Sequence, residues 1–182
     1  MLKQKMLEDF LRKVASKQKL KIDFIYNENW EEENGISVYM ARDALEKEEK
    51  FLLLMSDHLF EKEMLEKLLE SKSYGGCALG IDKAIAKQLN LKEATKVKEF
   101  NGKIVAIGKD IPFYNAIDTG LFLLTPVIFE ALEHTIKFKQ YRINDAIHFL
   151  VNRRKVYAVD LTGYFWVDID DSDDLKVAKE AY

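Results

Sequence analysis

The stretch FLLLMSDHLF, residues 51–60, is apolar through Met55, breaks on Ser56-Asp57-His58 and resumes with Leu59-Phe60. In open α/β sheets, ligands gather at the carboxyl ends of the strands. An aspartate at such an end holds a hard divalent cation against a phosphate, because Mg²⁺ takes oxygen ligands and keeps substrate phosphates in its shell. The other use for Asp57 is to cap the turn that follows. A second acidic group lies in FWVDIDDSDDL, residues 165–175. Side chains alternate along an extended segment, so Asp168 and Asp170 share a face. They are flanked by Trp166, Val167 and Ile169, and carboxylates among apolar neighbours are costly unless paired or metal-bound. Asp173 and Asp174 read instead as acids favouring a helix N-terminus. One aspartate from each of two strand ends makes a Mg²⁺ clamp for a nucleoside triphosphate. His58 reads as a neighbour of that cation rather than a ligand, since Mg²⁺ prefers oxygen. His134 and His148 fall on helices, Cys77 on a buried strand as a small hydrophobe, and Arg153-Arg154 at a solvated helix end.

These residues need a scaffold of alternating strands and helices. Apolar positions at Met6, Leu7, Phe10, Leu11 and Val14 make residues 1–17 an amphipathic helix. KIDFIYN (21–27) is rich in β formers and predicts a strand. Ser37 is placed as the N-cap of a helix running to about Leu45. Residues 50–57 and 75–82 are apolar at nearly every position, as in strands buried on both faces. Asn101-Gly102 between two alternating runs predicts a hairpin over 96–109. Residues 118–125 form a strand, after which Pro126 opens a helix. Residues 61–70 and 144–152 are helical, 155–161 and 164–169 are strands, and Ser172 caps a last helix. The order implies an α/β protein with a mixed, mostly parallel sheet.

Composition bounds the rest. The chain has 182 residues, 48% hydrophobic and 32% charged, enough for one core. No apolar run reaches the roughly 18 residues of a membrane span. The net charge of −3 with scattered basic residues leaves no nucleic-acid footprint. One cysteine excludes an internal disulfide framework. The expectation is a cytoplasmic protein acting on small molecules, and its many Lys/Glu pairs and two prolines hint at a thermophile.

Three segments together carry a family resemblance: LLLMSDHLF, then IGKDIPFYNAIDTGLFLLTPVIFEAL, then YFWVDIDDSDDLKVAKE. In this order and spacing they resemble the nucleotidyltransferases that join a nucleoside triphosphate to a sugar or polyol phosphate. Within these, the pattern is similar to the CTP:inositol-1-phosphate cytidylyltransferases. The resemblance implies a three-layer α/β/α fold of the glycosyltransferase-A type. It implies Mg²⁺-dependent attack of an acceptor phosphate on the α-phosphorus of the triphosphate, with pyrophosphate leaving. Carried over, Asp57 and either Asp168 or Asp170 hold the metal. Lys109 meets the acceptor phosphate, as a point charge on a flexible stem suits; Lys96 and Lys98 are weaker candidates. Asp118, Thr119 and Gly120 face the acceptor, Asp118 accepting from ring hydroxyls and Gly120 leaving the backbone open to a ligand. Asn29, Asn34, Gly35 and Ser37 read the base and ribose. The same letters also serve as ordinary turn and cap chemistry.

The sequence departs from the family at one place. The family opens with a strand and a glycine-rich G-x-G-T/S-R loop whose N–H groups cradle the triphosphate; none of the eight glycines stands in that arrangement. The expectation is therefore a single nucleotidyltransferase domain over 1–182 that lacks the first strand and loop, binds triphosphate poorly and oligomerises through an open sheet. Two alternatives stay open: a guanylyl-, uridylyl- or thymidylyltransferase for another sugar phosphate, and a non-catalytic binding module of the same fold.

Overall fold

The computed structural model describes residues 2–85, 91 and 94–181. The chain opens with α1 (Leu2–Gln18), α2 (Asn34–Met40) and α3 (Arg42–Leu45), then β1 (Phe51–Leu54), β2 (His58–Phe60) and α4 (Lys62–Glu70). Next come β3 (Cys77–Asp82), the hairpin β4 (Lys96–Phe100) and β5 (Lys103–Gly108), and the long β6 (Ala116–Leu124). Helices α5 (Val127–Lys137) and α6 (Ile143–Val151), strands β7 (Val156–Asp160) and β8 (Trp166–Asp168), and α7 (Ser172–Ala181) complete it.

Six strands form one sheet in the order β1-β6-β3-β7-β5-β4, and the start of β6 also pairs with β4, so the sheet curls back on itself. Helices α5 and α6 cover one face around Phe122, Phe129 and Ile147, with Val38 and Tyr39 of α2 packed alongside. The other face is covered by α4, whose Met64 and Leu68 are wholly buried against Ala78, Leu121 and Leu123. This is the expected three-layer α/β/α sandwich with a mixed sheet. The balance of directions is the reverse of the expectation: among the described pairs only β3–β7 is parallel, and β1–β6, β3–β6, β4–β5, β4–β6 and β5–β7 are antiparallel. Apolar runs report burial on both faces, and β3 and β6 have that burial without a parallel partner on each side.

Four local expectations change. β1 is an edge strand, and Leu54 is half exposed rather than enclosed. Residues 21–27 join no ladder; Phe24 instead lies under the Arg12 guanidinium, 4.6 Å from ring centre to carbon. A strand is completed only by a neighbour's backbone groups, which alternation alone does not guarantee. The helix placed at Ser37 starts at Asn34 and breaks at Ala41, so Ser37 is interior. Finally, Asp171 rather than Ser172 caps α7, its Oδ1 accepting the Asp173 and Asp174 N–H groups at 2.7 and 3.1 Å. Among the described residues no helix is long and apolar enough to cross a membrane.

Candidate active site

At the end of β1 the chain turns through Ser56 and Asp57 into the short β2, which pairs antiparallel with β8 in a separate two-stranded ladder. The register sets His58 against Asp168 and Phe60 against Trp166. Beyond the ladder, the Ile169 N–H donates to the Asp57 carbonyl at 2.9 Å. Two aspartates 111 residues apart are thus locked side by side by backbone bonding rather than by their own charges, which repel.

Their meeting point is one nitrogen. His58 Nδ1 lies 2.9 Å from Asp57 Oδ1 and 3.5 Å from Asp168 Oδ1. The imidazole is held on two sides. Trp166 stacks on it with ring centres 6.2 Å apart, and the Trp166 indole N–H donates to Asp82 Oδ2 at 3.1 Å. On the β6 side Gly120, at φ 72°, comes so close that a Cβ there would sit 2.5 Å from His58 Nε2. Glycine is needed at this position both for its backbone angle and for the ring beside it. The Gly120 N–H in turn donates to Asp118 Oδ1 at 2.8 Å.

The electrostatics are one-sided. Burial pushes the Asp168 carboxyl above the usual carboxylate range; the His58 charge opposes that, and Asp170 and Asp57 add to it. Burial likewise raises Asp118 from 3.8 to about 6, against the Gly120 hydrogen bond and His58. Asp168 Oδ1 is buried and accepts no hydrogen bond. An orphaned carboxylate oxygen among other acids is costly unless a cation meets it. Asp57, His58 and Asp168 offer ligand atoms all within 4.8 Å of one another. These residues fit a divalent cation.

Asp170 is exposed, its amide tied to Asp174 Oδ2 at 3.1 Å, and it is not part of that group. The chain bends after Asp168 into α7, so the strict alternation that joined the two residues ends there. Of the acceptor-side candidates, Asp118 stands at the same end of the sheet, opposite Ile81 in β3. Thr119 is buried and its hydroxyl donates to the Gly80 carbonyl at 2.9 Å. The space a Gly120 Cβ would take is filled by the His58 ring. Lys109 follows β5 on the surface, and its carbonyl accepts from the Lys96 ammonium at 2.5 Å. Because Lys96 pairs with Ile117, this lysine-bearing end of the hairpin lies beside Asp118. Lys98, one register step inward, pairs with Ala106.

The base-reading candidates lie among contacts within the chain. Asn34 Oδ1 accepts the Ile143 N–H at 3.0 Å, and a Cβ on Gly35 would meet Tyr141 O at 2.5 Å, so both serve the close packing of α2 on the start of α6. Ser37 accepts from the Asn27 amide at 3.0 Å, and the Asn29 N–H donates to Asn27 Oδ1 at 2.9 Å within an exposed turn. The start of α6, on which this segment packs, reaches the site end of the sheet. Asn144 beside Ile143 reaches Thr95 Oγ1 at 3.4 Å, and the Thr95 carbonyl accepts the Asp118 N–H at 2.9 Å. The sequence reading missed Asp82 and the packing role of Trp166. The signal for Asp82 was its position, the last residue of a wholly buried strand.

The sequence and the α/β/α fold have known relatives. The family model described as Nucleotidyl transferase matches residues 1–182, and the chain belongs to that family. A protein of Aquifex aeolicus (strain VF5) named "Bifunctional IPC transferase and DIPP synthase" is 35% identical over 176 residues, covering 97% of this chain and 39% of its own length. A protein of the same name from Archaeoglobus fulgidus is 28% identical, with 83% of this chain and 28% of its own length covered. The chain thus spans well under half of these relatives. Among solved structures, "Structure of the inositol-1-phosphate CTP transferase from T. maritima" superposes with a TM-score of 0.81 at 26% identity, covering 94% of this chain and 70% of the other. A UDP-glucose pyrophosphorylase solved with UDP-glucose shares the fold at a TM-score of 0.65 and 20% identity, over 83% of this chain and 62% of the other.

Proposed function

We propose that this chain carries the catalytic acids of a cytidylyltransferase that joins CTP to inositol 1-phosphate in the cytoplasm. An acceptor phosphate oxygen forms a bond to the α-phosphorus of CTP. The bond from that phosphorus to the bridging oxygen breaks, and pyrophosphate leaves with the electron pair. Asp57 and Asp168 would hold a divalent cation, expected to be Mg²⁺, which would supply charge neutralisation for the triphosphate and the leaving pyrophosphate. Lys109 meets the acceptor phosphate, and Asp118 accepts a hydrogen bond from a ring hydroxyl of the inositol. Such catalysis is positioning plus charge neutralisation, which asks for rigid strand-end groups and little covalent chemistry. The observation that carries this reading is the convergence of Asp57 and Asp168 on one point, with Asp168 Oδ1 buried and without a hydrogen bond. The likeness to the T. maritima enzyme and to the Aquifex protein supports the choice of nucleotide and acceptor.

The test is a panel of the four common triphosphates against inositol 1-phosphate and hexose 1-phosphates, reading pyrophosphate release. CTP with inositol 1-phosphate is expected to lead, and Asp57→Asn to cut the rate by about a hundredfold or more. A preference for UTP, GTP or dTTP moves the chain to another branch. Saturable inositol 1-phosphate binding with no pyrophosphate from any pair would point instead to a binding module of the same fold.

A further inference from the structure

We infer that the groove between the Tyr74 turn and the tip of the β4–β5 hairpin is a second ligand site, which takes a mononucleotide with its base on Tyr74 and its phosphate on Lys72 and Lys103. The groove holds about 350 Å³ and lies at the start of β7, where Lys103 pairs with Tyr157. Asp82, which anchors Trp166 beside the paired acids, stands at the far end of the neighbouring β3, and the two sites share no residue. Ligand pockets begin at roughly 300 Å³, so the groove has room for one small ligand. Lys72, Lys103, Tyr74 and Tyr157 stand around it with the amide of Asn101, and among the described residues no carboxylate lines it. In a chain whose 31 acids outnumber its 28 bases, a groove lined by cations alone is set apart to attract an anion.

The backbone at Tyr74 points the same way. The Gly76 N–H donates to the Ser73 carbonyl at 2.7 Å, closing a turn whose central residues, Tyr74 and Gly75, are both left-handed at φ 46° and 75°. The hairpin tip on the other wall is a turn of the same hand, with Asn101 and Gly102 at φ 51° and 76°. Asn-Gly is the pair such turns favour, whereas a tyrosine Cβ is strained there. Strain of this kind is found where a side chain must be held in a set position for a ligand. Burial does not explain the ring, since Tyr74 is 77% exposed. It meets Tyr157 with ring centres 5.5 Å apart and planes at 50°, so Tyr157 props it without covering its face. Lys103 Nζ lies 5.4 Å from the centre of the Tyr157 ring, which sets an ammonium beside the aromatic pair. Aromatic faces stack on bases, and lysines meet phosphate as point charges. Lysines alone would serve a free phosphate; the tyrosine held in a strained turn is what specifies a base.

The experiment titrates the 182-residue chain with AMP and with CMP and reads amide shifts and saturation transfer to the base protons by NMR. A chelator is present, which removes cation-dependent binding at Asp57 and Asp168. Saturable shifts at Gly75, Gly102 and Lys103 are expected, with transfer to the base. They are expected unchanged in Asp57→Asn, so the result stands apart from the proposed reaction. Tyr74→Asn restores the favoured Asn-Gly pair. It is expected to keep or raise the urea midpoint while nucleotide affinity falls about tenfold or more. The Lys72→Gln, Lys103→Gln double variant is expected to weaken binding and flatten its salt dependence. A lower midpoint in Tyr74→Asn with affinity unchanged would make the ring a packing group and overturn the inference. Inorganic phosphate that binds as tightly as AMP, with no transfer to the base, also overturns it. So do shifts confined to the surroundings of Asp57 and Asp168, or no shifts at all. The wild-type titration decides the matter even where a variant fails to fold.

Discussion

Helices α1 and α4 carry apolar residues at the same helical spacing and have opposite fates. In α4, Met64 and Leu68 are fully buried against the sheet. In α1, Met6, Leu7 and Phe10 stay 66%, 58% and 62% exposed, and Ala15 is the buried residue. Periodicity states that a helix has an apolar face. It does not state that anything covers that face. Cover comes from topology, and α4 has it because β2 and β3, on either side of it in the chain, fix it over the middle of the sheet. No described element lies over the apolar stripe of α1.

One substitution made in both helices tests this contrast. Leu68→Ala removes a side chain that is 0% exposed, and a buried leucine truncated to alanine costs about 2–5 kcal/mol. That is a large share of a domain's typical stability. Urea unfolding followed by circular dichroism is expected to show the midpoint dropping with little change in slope. A loss under about 1 kcal/mol would mean that α4 is loosely held and that the comparison between the helices is false.

A smaller effect comes from the site end of the sheet, where the buried centre gives way to acids. The folded protein raises Asp118 from 3.8 to about 6, chiefly by burial. Folded Asp118 therefore binds its proton more tightly than unfolded Asp118. Its contribution favours the fold fully below pH ~4 and is lost as pH rises through 6. At pH 8 the charged carboxylate is a net cost. Asp118→Asn keeps the acceptor for the Gly120 N–H and removes the charge. Without divalent cations and with a chelator present, the variant is expected to be more stable than wild type by about 1–2 kcal/mol at pH 8, with the gap closing by pH 4. Equal stabilities at pH 8 would mean that Asp118 is better solvated than its surroundings indicate. The same carboxylate is proposed to serve the acceptor, so this variant is expected to gain stability and lose activity, a trade common at functional sites.

The legibility of the sequence follows the same division. Asp57 and Asp168 were readable because a charge interrupting an apolar strand is rare enough to require a reason. The β4–β5 hairpin was readable from Asn101-Gly102, whose φ values of 51° and 76° are those that favour these two residues. The roles of Thr119, Gly35 and Asn34 were not. Each answers to a partner distant in sequence, namely Gly80 or the start of α6, and no local pattern reveals it. Strand direction was misjudged for the same reason, since an apolar run records burial and not the sense of its neighbours. The surroundings of His58 were not legible either. Nothing in the stretch SDH shows that Trp166 and Gly120 fix the imidazole edge towards both acids.

The smallest expected effect is Leu7→Ala, chemically identical to the substitution in α4. Leu7 is 58% exposed, so truncation removes little apolar area from any packed surface. Alanine is also the best helix former, which offsets part of what is lost. The expected change in stability is within about 0.5 kcal/mol at low protein concentration. Concentration gives the result its meaning. If Leu7→Ala costs nothing at micromolar protein but lowers the unfolding midpoint at tenfold higher concentration, the α1 stripe is covered by a second copy, because only association makes stability depend on concentration. If the cost exceeds about 1 kcal/mol at every concentration, α1 packs against its own chain in solution. The contrast between the two helices would then lie in how firmly each is held rather than in whether it is covered.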